Sequence, residues 1–295
     1  MKRILFIILI LLISISSNAQ KGNNKIFANY EDTLKKLSYI IMNGQDDKEK
    51  EKANINFISN LNKVLEYEKS FKYPFDSLKV VSRIYSPDNN FRIFNWYIYN
   101  DNGNYIYYAT IQHYNKYRKK YEFFNLTDNS ENIRNPEQKD LNAENWYGCL
   151  YYDIIYIKKN GRKFYTLLGW DGNNDFSTKK IIDIMSFSNK EKVKFGLPVF
   201  KISKTESQKR IILEYDSRTS VSVKYHKKEK KIIFNNLTPQ KKGLEGLKEY
   251  YVPEGSFNSY KYKKGKWWFE KDIDARNKIK DQQKKKKPSN GILPN

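Results

Sequence analysis

The run Phe91-Arg92-Ile93-Phe94-Asn95-Trp96-Tyr97-Ile98-Tyr99 decides the fold class. It is β-branched and aromatic throughout, a composition that fits a pleated strand rather than a helix. Asn100-Asp101-Asn102-Gly103-Asn104 follows, then a second such run, Tyr105–Gln112. Asn and Gly accept the positive φ of tight turns, so the two runs read as a hairpin. Both phases of the first strand are apolar: Phe91, Ile93, Tyr97 and Tyr99 on one face, Phe94, Trp96 and Ile98 on the other. Such a strand has helices over one face and a second sheet over the other, or it shows one aromatic face to a ligand.

Downstream the pattern repeats. Leu150–Ile157 and Phe164–Leu168 flank Lys158-Lys159-Asn160-Gly161; Val221–Tyr225 and Ile232–Phe234 flank a lysine-rich turn; Tyr260–Tyr262 and Trp267–Phe269 flank Lys263-Lys264-Gly265. Each is expected to be a hairpin. Segment 177–185, with Ile181, Ile182 and Met185, reads as a short helix. Similar stretches recur at 119–127 and 230–238, at 92–94 and 210–212, and at 156–165 and 260–268. They point to two related antiparallel units, or to chance likeness in a Lys/Asn/Tyr-rich chain.

Upstream the period is helical. Leu34, Leu37 and Ile41 share one face, with Gly44 as a stop; Phe57, Ile58, Leu61, Val64 and Leu65 share another, ended by Tyr73-Pro74. The expected fold is therefore α+β and mostly β. A helical segment at 20–78 packs on an antiparallel β domain at 79–275, a sandwich or a twisted open sheet, and a basic tail at 276–295 is expected to be disordered.

Residues 1–19 have the form of a secretory signal: Lys2 and Arg3, an apolar run from Ile4 to Ile13, and Ser17-Asn18-Ala19. Cleavage is expected between Ala19 and Gln20, placing the mature chain in the periplasm or outside the cell. The apolar run is shorter than the roughly 20 residues that span a bilayer, and no second one follows, so no transmembrane segment is expected in the mature chain. A single cysteine, Cys149, excludes an intrachain disulfide.

The formal charge of +22 is uneven: net +1 over residues 20–78 and net +19 over 79–295. Such a field attracts polyanions, and an anionic glycan or lipid surface is the expected partner class; nothing calls for specific nucleic-acid recognition. The same composition also follows from A/T-rich codons, with no selection for a basic surface.

Chemistry-bearing residues are sparse. Cys149, with His113 or His226, reads as a nucleophile pair or as a buried small side chain. Asp171, Asn173 and Asp175 alternate like the first ligands of a calcium loop, but Phe176 stands at the turning glycine and Ile182 at the closing glutamate, so a polar turn is the better reading. Asp153, inside Leu150–Ile155, is a candidate acid or base with Glu214 or Asp216, or with Asp171, as a paired-carboxylate hydrolase requires, but a structural, hydrogen-bonded aspartate is the better reading. No phosphate loop, nucleophile elbow or zinc helix occurs, and no cofactor is expected. The expected role is an exported envelope protein that binds or supports; a carboxylate hydrolase and a polyanion binder are the alternatives.

The stretch Tyr165–Asn174, with Ser177 and Lys179–Asp183, resembles a segment of exported proteins of Bacteroidota whose function is uncharacterised, and the ending Asn18-Ala19-Gln20 is similar to theirs. The resemblance covers roughly residues 86–200. It implies an envelope setting and a part in the fold for Gly169–Asp183, and no mechanism.

Overall fold

The computed structural model describes residues 25–159 and 162–273. The expected signal at 1–19, the expected tail at 276–295 and the turn residues Asn160 and Gly161 lie outside the described residues. Two helices come first, α1 (25–43) and α2 (Asp47–Leu65). Gly44 ends α1 with its N–H on the Ile40 carbonyl (2.7 Å). Asp46 caps α2 by accepting from the Glu49 N–H (2.8 Å), while Glu49 accepts from the Gln45 N–H (2.7 Å). The helix ends at Leu65, before the Tyr73-Pro74 stop that the sequence predicts; a 3-10 turn, Glu68–Lys72, fills the gap.

Among the described residues the strands form three sheets. The first is the meander β1 (Ser82–Tyr85), β2 (Phe91–Tyr99), β3 (Tyr105–Asn115) and β4 (Lys120–Thr127). The second holds β5 (Leu141–Asn142), β6 (Leu150–Lys159), β7 (Arg162–Asp171), β8 (Ser177–Phe187) and β9 (Val193–Phe195), in the order β5-β9-β8-β7-β6. The short strands β10 (Phe200–Lys201) and β11 (Ser207–Gln208) edge the third sheet, and β12 (Ile211–Asp216) returns to pair with β8. The rest of the third sheet is β13 (Val223–His226), β14 (Lys231–Pro239), β15 (Tyr251–Lys263) and β16 (Lys266–Ile273). Among the described residues all strand pairs are antiparallel save β10 with β16. The result is a mostly β, α+β fold with helices at the N-terminal end.

Three cores stack these layers. Phe57, Leu61 and Val64 of α2 pack with Phe94, Trp96 and Ile98. The Trp96 indole donates to Asn54 (2.7 Å), so the buried N–H is satisfied. The opposite phase, Phe91 and Ile93 with Tyr107 and Ile111, meets Tyr165, Leu167, Ile181 and Met185 of the second sheet. The other side of that sheet, Leu168, Ile182 and Ile184, meets Ile232, Phe234, Tyr260 and Trp267 of the third. Helices cover one face of β2 and a sheet the other, which is why both its phases are apolar.

Segment 177–185 is not a helix. It lies within the central strand β8, bonded to β7, β9 and β12. Ile181 and Met185 serve one core and Ile182 and Ile184 the other, so burial on two faces produces an apolar cluster that also fits helical spacing. The stretches that resemble each other sit in different pairings. Residues 156–165 join the second sheet through β6 and β7, whereas 260–268 pair β15 with β16 in the third, where Tyr260 and Lys261 also pair with β14.

Candidate functional site

The Asp171 loop is a closed polar network. The Asp171 carboxylate accepts from the Asn173 N–H (2.7 Å) and lies 3.8 Å from the Lys179 ammonium, which donates to Asn173 Oδ1 (2.7 Å). The Tyr107 hydroxyl also bonds Asp171 and accepts from the Gly172 N–H (2.7 Å). Burial pushes the Asp171 carboxyl up to about 6, against the pull of Lys179. Asp175 turns away and accepts from the Tyr99 hydroxyl (3.1 Å). The alternating residues of the calcium-like loop therefore do not converge: Asp171 and Asn173 hold the chain's own ammonium group. Among the described residues no three His, Cys, Asp or Glu side chains gather as metal ligands would.

Asp153 is half-buried on the other face of the same sheet. Its cross-strand partner Leu168 belongs to the core with the third sheet, whereas Asp171 meets Tyr107 of the first. A register shift between Tyr151 and Asp153 seats the carboxylate, which accepts from the Ile154 N–H (2.8 Å), and burial raises its pKa. Asp153 and Asp171 thus diverge, and the structure does not bring them together. Glu214 accepts from the Ser177 hydroxyl (2.6 Å); Asp216 is held well below the carboxylate range by Arg218.

Cys149 is fully buried against Gly169 and Tyr151, and burial drives its thiol pKa far up, opposite to an activated nucleophile. Neither histidine faces it. His113 sits in β3, bonds Glu191 (2.6 Å) and Asn90 (3.2 Å), and stacks on Phe187 (3.8 Å between centroids). That contact ties the first sheet to the β8–β9 turn, 78 residues away, and no local motif announces it.

What remains assembled on the surface is cationic. In the third sheet Val223, Ile232, Tyr260 and Trp267 face the core, so the alternate residues point to the other side; of these Ile233 and Ser259 are buried and the Lys231 side chain is 19% exposed, whereas Lys261 is exposed. The register aligns His226 with Lys231, Lys231 with Lys261 and Lys261 with Trp268, one row across four strands about 4.8 Å apart. Lys231 is bonded to Glu270 (2.7 Å). The β13–β14 turn adds Lys227, Lys228 and Lys230; the β15–β16 turn adds Lys263, Lys264 and Lys266. The Tyr262 N–H donates to the Lys230 carbonyl (2.8 Å), which places both turns at the same end of the sheet. With Lys224, nine lysines face two acids, Glu229 and Glu270. Lys231 directly opposite Lys261 is a like-charge pair, which destabilises a ladder.

Among the described residues no helix is long and apolar enough to cross a membrane. No protein-family model, no curated protein and no solved structure matches the chain.

Proposed function

We propose that this protein is an exported binding protein that rests on an anionic surface, phosphate headgroups of a bilayer, through the outer face of its third sheet. The observation that carries the reading is the His226–Lys231–Lys261–Trp268 row with lysine turns at the same end. A sheet face presents its cations in one plane, which matches a surface better than a single polymer strand. Each lysine near an anionic leaflet contributes about 1 kcal/mol, and an indole favours the headgroup level. An anionic glycan layer offers the same charge chemistry. Export rests on residues 1–19. The reading favours binding; Asp153 and Asp171 leave opposite faces of one sheet, so those two do not form the carboxylate pair of a hydrolase. A paired-carboxylate hydrolase needs two carboxyl groups within roughly 5–9 Å.

The test is co-sedimentation of the full chain with vesicles. Binding to phosphatidylglycerol vesicles that disappears with pure phosphatidylcholine and weakens steeply with salt supports the reading. Equal binding to both compositions, or to neither at low salt, overturns it.

A further inference from the structure

A second basic region differs from the third sheet in being concave and chemically mixed. It is a groove of about 1040 Å³ between the β3–β4 turn and the β8–β9 turn, with the end of α2 beside it. Such a volume accommodates several sugar rings or a ligand of similar bulk. Three kinds of group line it. Tyr117 holds its ring out to water at 77% exposure. Lys119, Lys120, Lys190 and Lys192 are exposed cations, and no carboxylate lies within 4.0 Å of them among the described residues. Glu66 and Glu68 are exposed acceptors that likewise have no cation partner there.

The walls are fixed before any ligand arrives. Asn115 Oδ1 accepts from the N–H groups of Tyr117 and Arg118 (3.0 Å each), and its amide donates to Glu122 (2.7 Å). Arg118 is itself spent on Glu122 (2.9 Å). Across the groove, the β8–β9 turn is closed by the Ser188 N–H on the Lys192 carbonyl (2.8 Å) and pinned by the Glu191–His113 bond. A preformed site loses little entropy on binding.

We infer that this groove binds an acidic saccharide. A sugar ring has an apolar face for Tyr117 and hydroxyl donors for Glu66 and Glu68; a uronate or sulfate group takes charge-assisted bonds from Lys190 and Lys192. A bare phosphate polymer has no use for the ring and offers no hydroxyl donors to the glutamates. A neutral sugar leaves the lysines without a role. The inference uses residues separate from the third-sheet face and stands whether or not that face meets a membrane.

The experiment is calorimetric titration of the full chain with tetragalacturonate, with cellotetraose as the neutral control. Tyr117→Ala removes an exposed ring and Lys190→Gln/Lys192→Gln removes two exposed charges, so both variants are expected to keep the wild-type urea midpoint. Saturable binding of tetragalacturonate, at least 10-fold tighter than cellotetraose and weakened at least 10-fold by each variant, supports the site. Vesicle binding is expected to survive Tyr117→Ala, which separates this claim from the third-sheet one. No saturable binding at millimolar tetragalacturonate, equal affinity for the neutral oligomer, or a Tyr117→Ala protein that binds like wild type overturns it.

Discussion

Removing the Arg210 guanidinium should unfold this protein more readily than any surface change. Arg210 and Asp183 both have 0% side-chain exposure, and Arg210 Nε donates to Asp183 Oδ2 at 3.0 Å. The guanidinium also holds the Pro136 and Lys139 carbonyls, joining the 136–140 loop to the edge of the second sheet. Breaking one side of a buried pair costs about 3–5 kcal/mol, because the survivor stays buried and uncompensated. Losing a donor to two carbonyls adds about 1 kcal/mol each where water cannot replace it. Arg210→Met is therefore expected to lose at least 3 kcal/mol in urea unfolding at pH 7. Burial already raises the Asp183 pKa against the pull of Arg210, so without the arginine the carboxyl takes up a proton more easily still. The penalty must then shrink as pH falls, by up to about 1.4 kcal/mol per unit. Arg210→Met/Asp183→Asn removes the orphaned charge and should be less destabilised than the two single variants added together. A loss under 1 kcal/mol at pH 7, or strict additivity at pH 5 and 7 alike, would refute the reasoning.

Other expectations are local. His113 is held neutral by burial, its pKa lowered despite Glu191, with Glu122 across the ladder; its contribution is complete above pH 6.5 and is lost as pH falls through its folded pKa. His113→Gln should flatten the decline in urea stability between pH 7 and 5. Asp171 works the other way, because a raised carboxyl costs stability as pH rises from about 4 to 6; its carboxyl carbon should titrate near 6 by NMR, a resonance missing from Asp171→Asn. Lys261→Thr removes the like-charge pair with Lys231 and adds a better strand residue, so the thermal midpoint should rise, by about 0.5 kcal/mol of stability, while vesicle affinity falls. The Cys149 thiol should react with Ellman's reagent only at the global unfolding rate; rapid labelling of the native protein would contradict its burial.

The helices and hairpins were legible because their periods are local: Phe57, Leu61 and Val64 repeat at helical spacing, and Asn-Gly and Lys-Gly turns separate aromatic runs. Segment 177–187 was not, because Ile181, Ile182 and Met185 fall at helical spacing and burial on both faces leaves no alternation to correct that reading, whereas the aromatic and β-branched run of β2 and its Asn-Gly turn mark it as strand. The polar networks were illegible for a different reason. Asp183 finds Arg210 27 residues on, and His113 finds Glu191 only when two sheets stack. The basic row depends on register, which lines up His226, Lys231, Lys261 and Trp268 from four strands; composition announces the charge but not its geometry.

The central claim is that lysines of the third-sheet face hold the protein on an anionic bilayer. Vesicle affinity of Lys228→Gln/Lys261→Gln/Lys263→Gln, compared with the wild-type chain on phosphatidylglycerol membranes, tests it most directly. Three charges at about 1 kcal/mol each predict a loss near 100-fold and a shallower salt dependence. Unchanged affinity in that triple variant would contradict the account.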